Sequence, residues 1–170
     1  MTESPARRLL LLLRGLALAA LILLGGTASS ATPAAPAAQH GIGQLYLALG
    51  DSLGVGLLSS MPETRGYVAE FHTLLEQAAH RPVQLQNLSI SGETAASMLT
   101  SGQLTNAQTA IARAYANGWQ VSPITVDIGG NDMRALQDKD DAAREAGLTT
   151  FRANIARIFD TLVAATTVNG

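Results

Sequence analysis

The chain contains no cysteine. That removes disulfide frameworks, thiolate-bound zinc, redox dithiols, thiol nucleophiles and a lipidated N-terminal cysteine. Histidine is scarce as well: His40, His72 and His80 have no H-x-x-x-H spacing, so no catalytic zinc site is expected. Charged residues reach only 14%, against about 25% in ordinary soluble domains. The formal net charge is −2 with no basic cluster, which argues against a nucleic-acid partner. Phosphate-binding patterns are missing too, since neither G-x-x-x-x-G-K-[ST] nor G-x-G-x-x-G occurs. At 170 residues there is room for one ordinary domain.

What is present begins with an export pattern over residues 1–31. Arg7, Arg8 and Arg14 form a positive flank, Leu16–Leu24 is unbroken apolar sequence, and Gly25–Ala31 supplies small residues for signal peptidase. Cleavage after Ala28 and cleavage after Ala31 fit equally well. A membrane anchor needs about 20 apolar residues, and counting back from Leu24 meets Gly15 and Arg14 first. The segment is therefore read as a removed signal peptide that touches the membrane only transiently. The mature protein is expected to be secreted or extracytoplasmic and not lipidated. Residues 32–42 open with the Pro/Ala stretch TPAAPAAQ, a linker without a core-forming pattern.

Residues 43–170 alternate between strand and helix patterns. Gln44–Leu49, Val83–Leu88 and Pro123–Ile128 read as strands. Gly66–His80 places Val68, Phe71, Leu74, Leu75 and Ala78 on one helical face. Gln103–Asn117 does the same with Leu104, Ala107, Ile111 and Tyr115. Leu148–Ala165 does so with Leu148, Phe151, Ile155, Ile158, Phe159 and Leu162. Asp138–Gly147 reads as a flexible flap, and its acidic run lacks the glycine and terminal glutamate of a calcium loop. Tyr115 and Trp119 read as packing at a helix end. This βαβαβα order calls for a parallel sheet covered by helices, with the chemistry outside the carboxyl ends of the strands.

Each strand ends there in an unusual loop: Gly50-Asp51-Ser52-Leu53-Gly54, Ser89-Ile90-Ser91-Gly92-Glu93-Thr94 and Gly129-Gly130-Asn131-Asp132. A serine on a tight strand-to-helix turn presents its hydroxyl to a substrate and its own N–H to the oxygen that becomes negative in acyl transfer. A glycine in the second loop offers another N–H without a side chain in the way. An asparagine in the third offers a carboxamide donor.

These blocks, in this order, resemble the SGNH (GDSL) family of serine hydrolases, in particular its secreted bacterial esterase and lipase branch. The resemblance runs from about Leu45 to Leu162. It implies a flavodoxin-like, three-layer αβα parallel sheet with family strand order 2-1-3-4-5, of which this sequence supplies about three strands. It implies hydrolysis of carboxylic esters, with Ser52 as nucleophile and Ser52, Gly92 and Asn131 as the oxyanion hole. Asp51 and Asp132 are read as structural support. Neither a metal nor an organic cofactor is implied, and the partner is a small-molecule or lipid ester.

One family block is not found. No Asp is followed three positions later by His, and no His occurs after His80, so no catalytic His or Asp is assigned. His40 and His80 belong to the amino edge of the sheet, and His72 lies within a helix. The sequence is accordingly expected to be the N-terminal part of a longer hydrolase and inactive alone. Two other classes stay open: a non-catalytic lipid- or carbohydrate-binding relative of the same fold, and an anion-binding module of flavodoxin type.

Overall fold

The computed structural model describes residues 41–61 and 65–169. The expected signal segment and most of the Pro/Ala linker, His40 included, lie outside the described residues. Strand β1 (Leu45–Gly50) is followed by the single turn α1 (Ser52–Val55) and by α2 (Tyr67–Ala79). Next come β2 (Gln84–Asn87), the short α3 (Ala95–Met98) and α4 (Gln103–Ala116). Strand β3 (Val121–Asp127), α5 (Gly130–Leu136) and α6 (Asp141–Asn169) complete the order.

The strands form one parallel sheet in the order β2-β1-β3. The central strand is buried along its whole length, as a parallel strand covered on both faces must be. Its alternate residues feed two cores. Leu45, Leu47 and Leu49 pack with Met98, Leu104, Ile111, Ile158 and Leu162 from α3, α4 and α6. Tyr46 and Ala48 pack on the other face with Val68, Leu75 and Val83 from α2 and the entry to β2. Phe71 meets the Tyr46 ring edge-on at 5.4 Å. The register of β3 against β1 shifts between Leu45 and Leu47, next to Pro123. Proline has no N–H for the ladder, so a bulge on an edge strand is where it is tolerated.

Some expectations are corrected. Asp138–Gly147 is not a flap: α6 already starts at Asp141. Gly147 sits inside that helix, where any Cβ would strike the side chain of Leu136 on α5. Leu74 and Phe159 do not join the buried faces and are 58% and 50% exposed. Phe159 is instead turned to the open flank of β3, where it lines a groove with Ile124 and Val126. Trp119 is 38% exposed and borders a groove beside β2, so it is not simple packing. The helix after Gly129 was not anticipated from the sequence.

Candidate active site

All three loops emerge at the carboxyl edge of the sheet. In the first, buried Asp51 caps α1, its Oδ1 accepting from Leu53 N at 2.9 Å. Asp51 N donates to Asp127 O at 3.1 Å, tying this turn to the end of β3. Ser52 opens α1 and is half-buried. Its hydroxyl makes no hydrogen bond to another described residue. Gly54 lies against the second loop, where a Cβ would meet the Ser89 side chain. Asn87 Nδ2 donates to Gly54 O at 2.8 Å, closing that contact.

The second loop is held from below. Ile90 N donates to Gly50 O at 3.0 Å, and Gly92 takes φ +83°, a left-handed conformation suited to glycine. The buried Glu93 carboxylate accepts from the hydroxyls of Ser97 and Ser101 and from Gln103 Nε2. Gln103 also clamps Gly50, its Oε1 accepting from Gly50 N at 2.9 Å and its Nε2 donating to Gly50 O at 3.0 Å. One buried carboxamide thus fixes the end of β1 relative to the second loop.

The third loop joins the other two. Asn131 Nδ2 donates to Glu93 O at 2.8 Å and lies 3.5 Å from Asp51 Oδ2. The latter separation exceeds an ordinary N–H···O distance, which leaves the second amide hydrogen weakly held. Both oxygens of Asp132 accept from Ala95 N, at 3.1 and 3.0 Å, at the start of α3. The structure therefore brings together Asp51, Glu93, Asn131 and Asp132. The backbone N–H groups of Ser52 and Gly92 have no acceptor among the described residues. Donors without partners cost free energy when water is excluded, so they are available to an incoming anion or oxyanion.

Beside α1 lies a pocket of about 290 Å³ bordered by Leu53, Leu57, Leu58, Arg65, Tyr67 and Asp127. Burial raises the Asp127 carboxyl above its ordinary value, the Asp51 charge adds to the rise, and a hydrogen bond with Tyr67 opposes it. Burial also raises the Tyr67 hydroxyl, and the Asp127 carboxylate beside it adds to that rise. Among the described residues no cluster of His, Asp and Glu has the arrangement of a metal site.

The described histidines sit elsewhere. His72 Nε2 bonds Val83 O at 2.6 Å at the entry to β2, and His80 forms the left-handed C-cap of α2. Sequence reasoning assigned no role to Glu93, Gln103, Tyr67 or Asp127. A readable signal existed for Asp127, a charge closing a strand rich in β-branched residues. Gln103 had none, because its partner Gly50 is 53 positions away.

No protein-family model matches the chain, and no curated protein does. Solved structures do. One described as TesA is 23% identical with a TM-score of 0.48, covering 72% of this chain and 56% of that one. The psychrotrophic esterase EstA from Pseudoalteromonas sp., inhibited by monoethylphosphonate, is 22% identical with a TM-score of 0.46, covering 72% and 55%. AlinE4, an SGNH-hydrolase family esterase, is 22% identical with a TM-score of 0.40, covering 69% and 55%. Each of these is a likeness of fold. The chain spans little more than half the length of each of these proteins.

Proposed function

We propose that the protein is an exported serine hydrolase of SGNH type that cleaves carboxylic esters. The Ser52 hydroxyl attacks the ester carbonyl and gives up its proton to a base. The resulting oxyanion is held by the N–H groups of Ser52 and Gly92 and by the Asn131 amide hydrogen that Asp51 holds only weakly. The alcohol leaves with a proton, and water then attacks the acyl-serine, releasing the acid and restoring the hydroxyl. The small or lipid ester would lie with one arm in the pocket bordered by Leu53, Leu57 and Leu58. Of the described histidines, His72 bonds Val83 O and His80 caps α2, so neither is assigned as the base, and slow turnover is expected unless a base is supplied. Residues 1–31 serve export in this reading, and no nucleic acid or cofactor enters it.

The observation that carries the proposal is the bridge made by Asn131. Its carboxamide contacts the residue after Gly92 and faces the residue before Ser52. This supports three loops converging on one small site.

Imidazole supplied in solution can stand in for the base. With p-nitrophenyl butyrate, the purified chain is expected to show imidazole-dependent hydrolysis above that of its Ser52→Ala variant. Asn131→Ala should lower that excess by about 10²–10³-fold, the usual cost of one oxyanion donor. Equal rates for the wild type and Ser52→Ala at every imidazole concentration would overturn the proposal.

A further inference from the structure

A second concavity, larger than the pocket at α1, runs along β2 on the face shared with α4, and the reading above gives it no role. Its volume is about 490 Å³, within the range of small-molecule sites. Its composition is unusual for the flank of a parallel sheet. A strand covered on both faces reads as a continuous apolar run, whereas β2 reads Gln-Leu-Gln-Asn and is mostly exposed. Leu85 packs toward the α2 core. By the two-residue period of a strand, Gln84 and Gln86 therefore face the groove. Across from them α4 presents Asn106 and Arg113, one helical face at i and i+7. Asn117 and Trp119 close the end.

These side chains share a second property. The carboxamides of Gln84, Gln86, Asn106 and Asn117, the Arg113 guanidinium and the Trp119 indole N–H make no hydrogen bond or ion pair with any described residue. The amides at the carboxyl edge contrast with them, since Asn87, Gln103 and Asn131 are all committed to loop backbone. The groove thus gathers uncommitted amides, one cation and one half-exposed indole over an apolar floor that includes Leu45, Leu88 and Ala110.

We propose that this groove binds a neutral oligosaccharide, independently of ester hydrolysis. A carboxamide offers two donors and one acceptor, which matches sugar hydroxyls that both donate and accept. The indole supplies a flat apolar surface for the C–H face of a pyranose ring while keeping its N–H available. A hydrocarbon chain would strand the amides without partners. A polyanionic nucleic acid would find only Arg113 to neutralise it.

Trp119 is the only tryptophan in the sequence, so fluorescence excited beyond the tyrosine absorption band reports on this groove. Titration with cellotetraose, xylotetraose, maltotetraose and chitotetraose is expected to give a saturable change with at least one of them. Gln86→Ala combined with Arg113→Ala should weaken that binding about tenfold or more, the cost of the hydrogen bonds removed. Both residues are exposed, and Asn117→Ala, read in the same way, gives an independent check. No saturable change with any of the neutral tetrasaccharides, unchanged affinity in the variants, or tighter binding of anionic tetragalacturonate would each overturn the assignment. The measurement needs no turnover, so failure of the hydrolase reading and failure of this one are separable.

Discussion

The two edges of the sheet are both crossed by polar links, but they are built differently. At the amino edge, Arg81 Nη2 donates to Ile42 O and Gly43 O at 2.6 and 3.0 Å. Gln44 Oε1 there accepts from Gln120 N at 2.8 Å. These groups are partly or fully open to solvent, so water competes for every one of them. At the carboxyl edge, Asp51, Glu93 and Gln103 are at most 4% exposed, and they are the buried polar or charged side chains among the described residues. A desolvated carboxylate or amide must find its partners inside the protein. Each partner at that edge is consequently a constraint on loop position. The amino edge holds the chain together, while the carboxyl edge also holds geometry.

Gln103→Leu should widen this contrast most. It removes the acceptor of Gly50 N and one of two donors each to Gly50 O and to a Glu93 oxygen, which keep Ile90 N and the Ser101 hydroxyl; Gly50 N is left unpaired. The expected loss is about 2–3 kcal/mol, read as a lowered urea midpoint, with altered amide shifts at Gly50 and Gly92. Arg81→Ala, which removes the links to Ile42 and Gly43, should cost no more than about 1 kcal/mol. If the two variants lose equal stability, the distinction between the edges fails.

A smaller effect sharpens the same point through pH. Asp127 has its folded value raised above 3.8 by burial and by Asp51. A group of this kind favours the folded state below its unfolded value, and the benefit is lost as pH rises through the folded one. Asp127→Asn should therefore gain stability relative to the wild type at neutral pH, and the gap should close as pH falls toward the unfolded carboxyl value. The gain should stay under about 1 kcal/mol because the carboxyl is partly solvated. Paired urea titrations at neutral and acid pH check both sign and size. A larger gain in acid would place the repulsion elsewhere.

Local pattern was enough to find the strands and the main helices, since two-residue and 3.6-residue periods are written in neighbouring residues. Strand β1 and the helix from Gln103 start within a residue of where the sequence puts them. The site was legible to the extent that its residues lie in short blocks at strand ends: Asp51 and Ser52, Gly92, Asn131 and Asp132. The start of α6 was missed although Ala142, Ala143, Arg144, Glu145 and Ala146 favour a helix and Asp140 caps it, its Oδ1 accepting from Ala143 N at 2.8 Å. Gly147 pointed to a loop, and only the packing of Leu136 against it shows why a glycine stands inside the helix.

Sequence alone determined the alternation of strand and helix, the order of the loops and the residue types each loop carries, because all of these depend on near neighbours along the chain. Tertiary structure alone decided that Gln103 grips Gly50, that Asn131 reaches Glu93, and that the amides beside β2 face an open groove. Those contacts join residues tens of positions apart. Their partners are selected by burial and by the need to satisfy desolvated polar groups, which no local period encodes.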